Sequence, residues 1–237
     1  MTYNLPGVHT APNIQSAPDI YEIENLAADP EQYIETAMWG IAPWENKTVL
    51  DLGAGTGFHA SHFHEKAAHV FLMEPHNESR LKAMARIVAL NLQQASVLTG
   101  SAEKILLPDG SMDVIHARFA YFFAPHCEPG LFEVARVLRP GGTAFIIDND
   151  LRNGTFAHWL KRHPNYHDVT ADVVENFWRD RGYDLLRIPS RWQFQTRADL
   201  EAVVKLEFGE RLGSDLLREH DSLHVDYHYC LYYRQYR

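Results

Sequence analysis

Cysteine is nearly absent from the chain: Cys127 and Cys230 are the only two in 237 residues. Two thiols cannot build a disulfide framework, and such usage fits a reducing cytoplasm. No apolar run reaches the roughly 18 residues that a membrane span requires. The opening stretch, Met1 to Gly7, lacks the basic and apolar regions of a secretory leader. Positive charge is also scarce, with 22 Lys and Arg against 31 Asp and Glu and a formal net charge of -9. Phosphate backbones are bound by clustered Lys and Arg, so a nucleic-acid partner, RNA included, is disfavoured. Repeats and low-complexity segments are missing. Fourteen histidines are present, and His59 and His62 share a helical face with His64 nearby. No His-Glu-x-x-His or paired-cysteine motif accompanies them, and hard cations prefer carboxylate oxygens, so no metal is expected.

What is there is a globular composition, 46% apolar and 22% charged, suited to one cytoplasmic domain with a small-molecule partner and no membrane. Residues 1–18 carry three prolines without periodicity and read as a loose arm. Helical stretches from Asp19 to Trp44 make residues 1–46 an arm and helical cap. Residues 47–150 alternate strand and helix. Strands are expected at 48–52, 69–74, 95–98, 112–117 and 143–147. Helices are expected at 56–67, around Leu81, Met84 and Val88 with an apolar face, and around Leu131, Val134, Ala135 and Leu138. Arg139-Pro140-Gly141-Gly142 is placed to stop that last helix. In residues 151–237, helices near 153–163 and 167–181 precede a strand at 184–194. A helix capped by Thr196 and an aromatic strand, 225–233, follow. Such alternation predicts parallel strands joined by helical crossovers, a doubly wound α/β sheet.

Asp51-Leu52-Gly53-Ala54-Gly55-Thr56-Gly57 joins the first strand to the first helix. Glycines there allow a tight turn and let a ligand touch backbone at a helix start. Glu74 ends the second strand, where an acid meets ribose hydroxyls in dinucleotide folds. A redox dinucleotide fits less well, because Phe58 stands where a third glycine belongs and no Lys or Arg lies between Lys47 and Lys66. The missing Walker lysine excludes a P-loop nucleotidase. An acid at the loop's start, Asp51, suits a ligand carrying an ammonium and a sulfonium.

The segments VLDLGAGTGFHA, MEP at Glu74, MDVIHARFAYFF and VARVLRPGGTAFIID together resemble class I S-adenosylmethionine-dependent methyltransferases of the small-molecule branch called type 11, over about residues 45–150. The resemblance implies a Rossmann-like, seven-stranded, mostly parallel sheet with the aromatic terminal strand antiparallel. It implies that Gly53, Ala54, Gly55 and Gly57 hold the methionine part of the cofactor, with Asp51 near its ammonium. Glu74 would take the ribose and Pro75 the adenine. Where the family often has an acid before Ala-Glu, this chain has Ser101-Ala102-Glu103. Ser101, the Ala102 backbone and Glu103 are therefore all candidates for the adenine amine. Tyr21 is a candidate cap over the cofactor, with packing of the first helix as its alternative. The function implied is methyl transfer to a small molecule, the alternatives being a non-catalytic cofactor binder or an RNA methyltransferase.

Ligands of open α/β sheets sit at the carboxyl ends of the strands. Arg118, ending the fourth strand, is a candidate for orienting an anionic substrate group or the cofactor carboxylate, or else for a structural ion pair. Asp148 is a candidate base or ammonium partner at the end of the fifth strand, with Asp150 beside it, or else part of a solvated turn. Arg118 and Asp148 are expected to face one pocket, walled by the aromatics from Phe119 to Phe123.

Overall fold

The computed structural model describes Val8, residues 11–124 and residues 126–237. Leucine- and valine-rich runs build the sheet. β1 (Thr48–Leu52), β2 (His69–Glu74), β3 (Ala95–Thr99), β4 (Met112–Arg118) and β5 (Leu138–Asn149) are parallel. β6 (Asp184–Ile188) forms the far edge. β7 (Arg191–Gln193) and β8 (His224–Asp226) pair with each other in a separate small sheet. β9 (Tyr229–Gln235) is inserted antiparallel between β5 and β6, giving the order β3-β2-β1-β4-β5-β9-β6. This is the seven-stranded, mostly parallel, Rossmann-like methyltransferase fold that the resemblance implies.

Side-chain alternation divides the core into two layers. Val49, Val114, Phe145 and Ile147 enter one, whereas Leu50, Ile115, Ala144 and Ile146 enter the other. The first layer is covered by α2 (Pro18–Ala27), α3 (Tyr33–Ile41) and α4 (Ala60–His64), with α5 (Asn77–Ala89) alongside, and α1 (Pro12–Ser16) packs outside them on α2 and α5. α6 (Glu128–Val137) covers the second layer. α7 (Gly154–Leu160) returns to the first, α8 (Ala171–Asp180) to the second, and α9 (Arg197–Arg218) to the first. No helix among the described residues is long and apolar enough to cross a membrane.

Several local expectations are corrected. The loose arm of 1–18 contains α1 and the start of α2, each with proline in its first turn. Residues 1–7, 9 and 10 lie outside the described residues. The helix expected over 56–67 shortens to α4, because residues 53–58 are taken up by the glycine turn. Leu81, Met84 and Val88 point outward, Val88 being 78% exposed. The inward face of α5 is Ser79, Arg80 and Ala83 instead, with Ala83 where the glycine loop comes too close for a larger side chain. A Cβ on Gly57 would stand 3.2 Å from that of Ala83 and 2.9 Å from Leu72 Cδ2. β5 starts at Leu138 rather than 143. Pro140, Gly141 and Gly142 lie inside it, where the register against β4 shifts as at a bulge. The strand expected at 184–194 divides into β6 and β7, and the terminal one into β8 and β9. In each case half of the run pairs with the small sheet.

Candidate functional site

A cavity of about 510 Å³ opens at the carboxyl ends of the parallel strands. The loop after β1, Glu74 of β2, Ser101 after β3, Arg118 of β4 and Asn149 of β5 all line it. That is where the crossover topology leaves the strand ends uncovered. α1 and α2 close it from above, through Asn13, Ile14, Tyr21 and Glu24. α2 is tied down by Arg86 Nη2, which donates to Glu22 Oε1 at 2.6 Å, and by Thr56 Oγ1, which donates to Glu22 Oε2 at 3.3 Å.

The loop is held from within. Gly53 has φ +79°, and a Cβ there would stand 2.4 Å from that of Ala120, so the chain after β4 packs directly on its backbone. Glu74 is buried and clamps the turn: Gly55 N–H donates to its Oε2 at 2.9 Å and His76 N–H to its Oε1 at 2.8 Å. Burial pushes its carboxyl above the usual range, and those two amides oppose the shift. Each oxygen keeps a lone pair for a further donor. Arg80 holds the backbone around it, donating to the Glu74 carbonyl at 3.0 Å and the Pro75 carbonyl at 2.6 Å.

Gly53, Ala54, Gly55, Glu74, Pro75, Ser101, Ala102, Glu103, Tyr21 and Arg118 thus come together around one cavity. Asp51, Gly57 and Asp148 are not in its wall. Asp51 is 2% exposed beneath the loop, where its Oδ1 and His116 Nδ1 are hydrogen-bonded at 2.9 Å across the β1–β4 register. Its Oδ2 is buried without a partner among the described residues. Gly57 faces α5.

The expectation that Arg118 and Asp148 share a pocket is corrected by the pleat. Arg118 stands opposite Ile147, on the layer of Phe145 and Tyr229. Asp148 pairs with Cys230 and follows Ile146 into the other layer. Its Oδ1 accepts from the Asn149 N–H at 2.7 Å, and burial pushes its carboxyl up to about 6 against that bond. Arg118 pairs with Glu35 of α3 at 3.5 Å, the two side chains being 6% and 11% exposed. Burial works against its charge, but Tyr229, Glu35 and Asp29 outweigh it and its pKa lies above the ordinary value.

His59 also lines the cavity. Burial first, then the nearby Arg118 and His116, push its imidazole well below the usual range, so it is neutral at pH 7. Glu35, His59 and His62 present ligand atoms within 4.8 Å of one another. The guanidinium beside Glu35 already compensates that carboxylate, and it opposes a divalent ion there.

Sequence reasoning missed the contributions of α1 and of the C-terminal third. Asn13, Glu24, Tyr166, Glu207 and Tyr227 line the cavity, and no motif marks them. The proline at the head of each of α1 and α2 was a readable helix-start signal. The aromatics after β4 divide: Phe119, Tyr121 and Phe123 line the cavity, while Phe122 enters the core beneath α6.

Residues 49–142 match a family model described as a methyltransferase domain. An uncharacterized methyltransferase of Mycobacterium tuberculosis is 34% identical over 134 residues, covering 56% of this chain and 51% of that protein. A ubiquinone/menaquinone biosynthesis C-methyltransferase of Rubrivivax gelatinosus is 30% identical over 130 residues, 55% of this chain and 49% of that one. The chain thus aligns with about half the length of the curated relatives it matches. Among solved structures, the YcgJ protein of Bacillus subtilis superposes with a TM-score of 0.64 at 17% identity, over 86% of this chain and 97% of that one. An S-adenosylmethionine-dependent methyltransferase of Aquifex aeolicus gives 0.58 at 21%, over 91% and 97%. The chain is therefore similar to methyltransferases, in sequence through its central segment and in fold through most of its length.

Proposed function

We propose that the protein transfers a methyl group from S-adenosylmethionine to a small-molecule acceptor. The observation that carries this reading is the charge of the cavity. Arg118 is the one Lys or Arg among the described lining residues, and Glu74 of β2 and Glu103 after β3 add negative charge to the wall around the glycine loop. Such a wall suits a cationic cofactor without phosphates and repels a pyrophosphate. When bound, the cofactor supplies an electrophilic methyl on a positive sulfonium.

In this reading Glu74 accepts from the ribose hydroxyls through its remaining lone pairs, with Pro75 against the adenine. Ser101, Ala102 and Glu103 border the adenine side, and Tyr21 covers the loop from α2. Gly53, Ala54 and Gly55 present backbone to the methionine part. Asp51 contributes negative charge from beneath the loop, and Gly57 lets the loop seat on α5. Displacement at a methyl group depends chiefly on holding the nucleophile in line, so an enclosed wall supplies most of the catalysis. Arg118, preset by Glu35, orients an anionic substrate group. His59 offers a neutral imidazole to accept a proton when the nucleophile must lose one. Asp148, on the other layer, takes no part. The acidic cavity also favours a small molecule over RNA.

Thermal unfolding tests the reading. S-adenosylhomocysteine should raise the melting temperature, whereas NAD and NADP should not. Consumption of the methyl donor with a cell extract then separates a methyltransferase from a non-catalytic binder of the cofactor. Stabilisation by a dinucleotide alone would overturn the proposal.

A further inference from the structure

The cavity wall also holds two acids, one from α2 and one from α9, that methyl transfer itself does not use. Glu24 and Glu207 both line the cavity. Their side chains hydrogen-bond each other, which requires a proton between them. Asn13 Nδ2 donates to Glu207 Oε1 at 2.5 Å. Glu24 is 8% exposed, and its Oε2 is buried with no partner among the described residues. Neither acid forms an ion pair with a Lys or Arg among those residues. The Arg118 guanidinium acts on Glu24 from a distance and is engaged with Glu35. A buried carboxylate oxygen left open at a cavity wall is costly until a donor or cation completes it.

The surroundings specify which donor. Tyr21, Tyr166 and Tyr227 line the cavity with these acids, and both glutamates act electrostatically on the Tyr21 and Tyr227 hydroxyls. Burial pushes all three phenols above their usual range, so the rings stay neutral. Phe156 stacks on Tyr227 with centroids 3.9 Å apart. Carboxylate oxygens among electron-rich rings are the chemistry that receives an alkylammonium. α1 separates this end from the glycine loop. Ile14 Cδ1 lies 2.6 Å from where a Gly55 Cβ would be, while the neighbouring Asn13 reaches Glu207.

We infer that Glu24 and Glu207 form an ammonium subsite, so that the acceptor is a small molecule carrying a protonated primary or secondary amine, held between the two carboxyl groups against the Tyr227 and Tyr166 rings. The inference rests on the methyltransferase reading of the cavity and adds the substrate's charge to it.

The probe is tyramine, a primary alkylamine attached to a phenol ring and protonated at neutral pH. It is titrated calorimetrically into the full chain saturated with S-adenosylhomocysteine. Para-propylphenol and para-hydroxyphenylpropionate, which replace the ammonium by methyl and by carboxylate, are titrated in parallel. Tyramine should bind at least about tenfold more tightly than either analogue, a difference of about 1.4 kcal/mol. Glu24→Gln and Glu207→Gln should each abolish that preference while keeping S-adenosylhomocysteine affinity within about twofold, which also reports that the variants are folded. Tyramine binding no tighter than its analogues, binding by none of the three, or an undiminished preference in both variants overturns the inference. So does a parallel loss of S-adenosylhomocysteine affinity, which would assign the acids to the cofactor. Failure of the wild-type chain to bind S-adenosylhomocysteine appears before any amine is added, and it marks failure of the underlying reading instead.

Discussion

Arg118 and Asp148 end adjacent, hydrogen-bonded strands and point to opposite faces of the sheet. Arg118 is in register with Ile147, so Asp148 is one residue out of step and its side chain follows Ile146. One residue along a pleated strand is enough to separate an arginine in the cavity wall from an aspartate against the other layer.

That separation gives Asp148 a measurable signature in stability rather than turnover. Burial raises its carboxyl from 3.8 to about 6. Between those values the folded protein holds a proton that the unfolded chain has released, so stability falls as pH rises through the window. Asp148→Asn removes the penalty. It should be nearly neutral at about pH 4 and stabilising by up to about 2–3 kcal/mol at about pH 8. Urea unfolding at the two pH values checks this, and a variant less stable at the higher pH contradicts it.

Arg118 and Glu35 should behave as a coupled pair. Both side chains are largely buried at 3.5 Å, so removing one leaves the other's charge uncompensated. Arg118→Met is expected to cost about 3 kcal/mol, and adding Glu35→Gln should recover more than half of it. Additive costs in a double-mutant cycle would show that the two ionise independently.

Glu74 serves the loop as well as any ligand, because it accepts from the Gly55 and His76 amides. Glu74→Ala strands both donors and is expected to lower stability by about 1–3 kcal/mol, besides weakening S-adenosylhomocysteine at least about tenfold. Calorimetry and thermal melts on the same variant separate the effects. Unchanged affinity would displace the ribose from Glu74.

Gly53 should tolerate no side chain. Its φ of +79° and the 2.4 Å approach of Ala120 to a Cβ position add strain to a clash. Gly53→Ala is expected to destabilise by at least about 2 kcal/mol. Gly40, in α3 with nothing within 4 Å of its Cβ position, provides the control. Gly40→Ala should gain about 0.5–1 kcal/mol in the same denaturant experiment.

Local, contiguous signals make β1 to β4, the glycine turn and Glu74 at the end of β2 legible in the residues themselves. A buried strand, a tight turn and a strand-end acid each lie within a few neighbouring residues. Even there, α5 shows where such reading stops. The apolar spacing of Leu81, Met84 and Val88 is real, yet the side that packs is chosen by how closely the glycine loop approaches Ala83.

The alternating α/β order, the loop from Asp51 to Gly57 and an acidic balance that disfavours phosphate-rich partners are all written in neighbouring residues and composition. What surrounds that loop is set by long-range packing. It brought Asn13 onto Glu207 across 194 residues, paired Arg118 with Glu35, turned Asp148 to the opposite layer and placed Glu24 with its open carboxylate oxygen in the wall. Backbone propensity and turn chemistry act between near neighbours. A cavity wall is instead assembled from strand ends and covering helices whose proximity depends on the register and packing of the whole sheet.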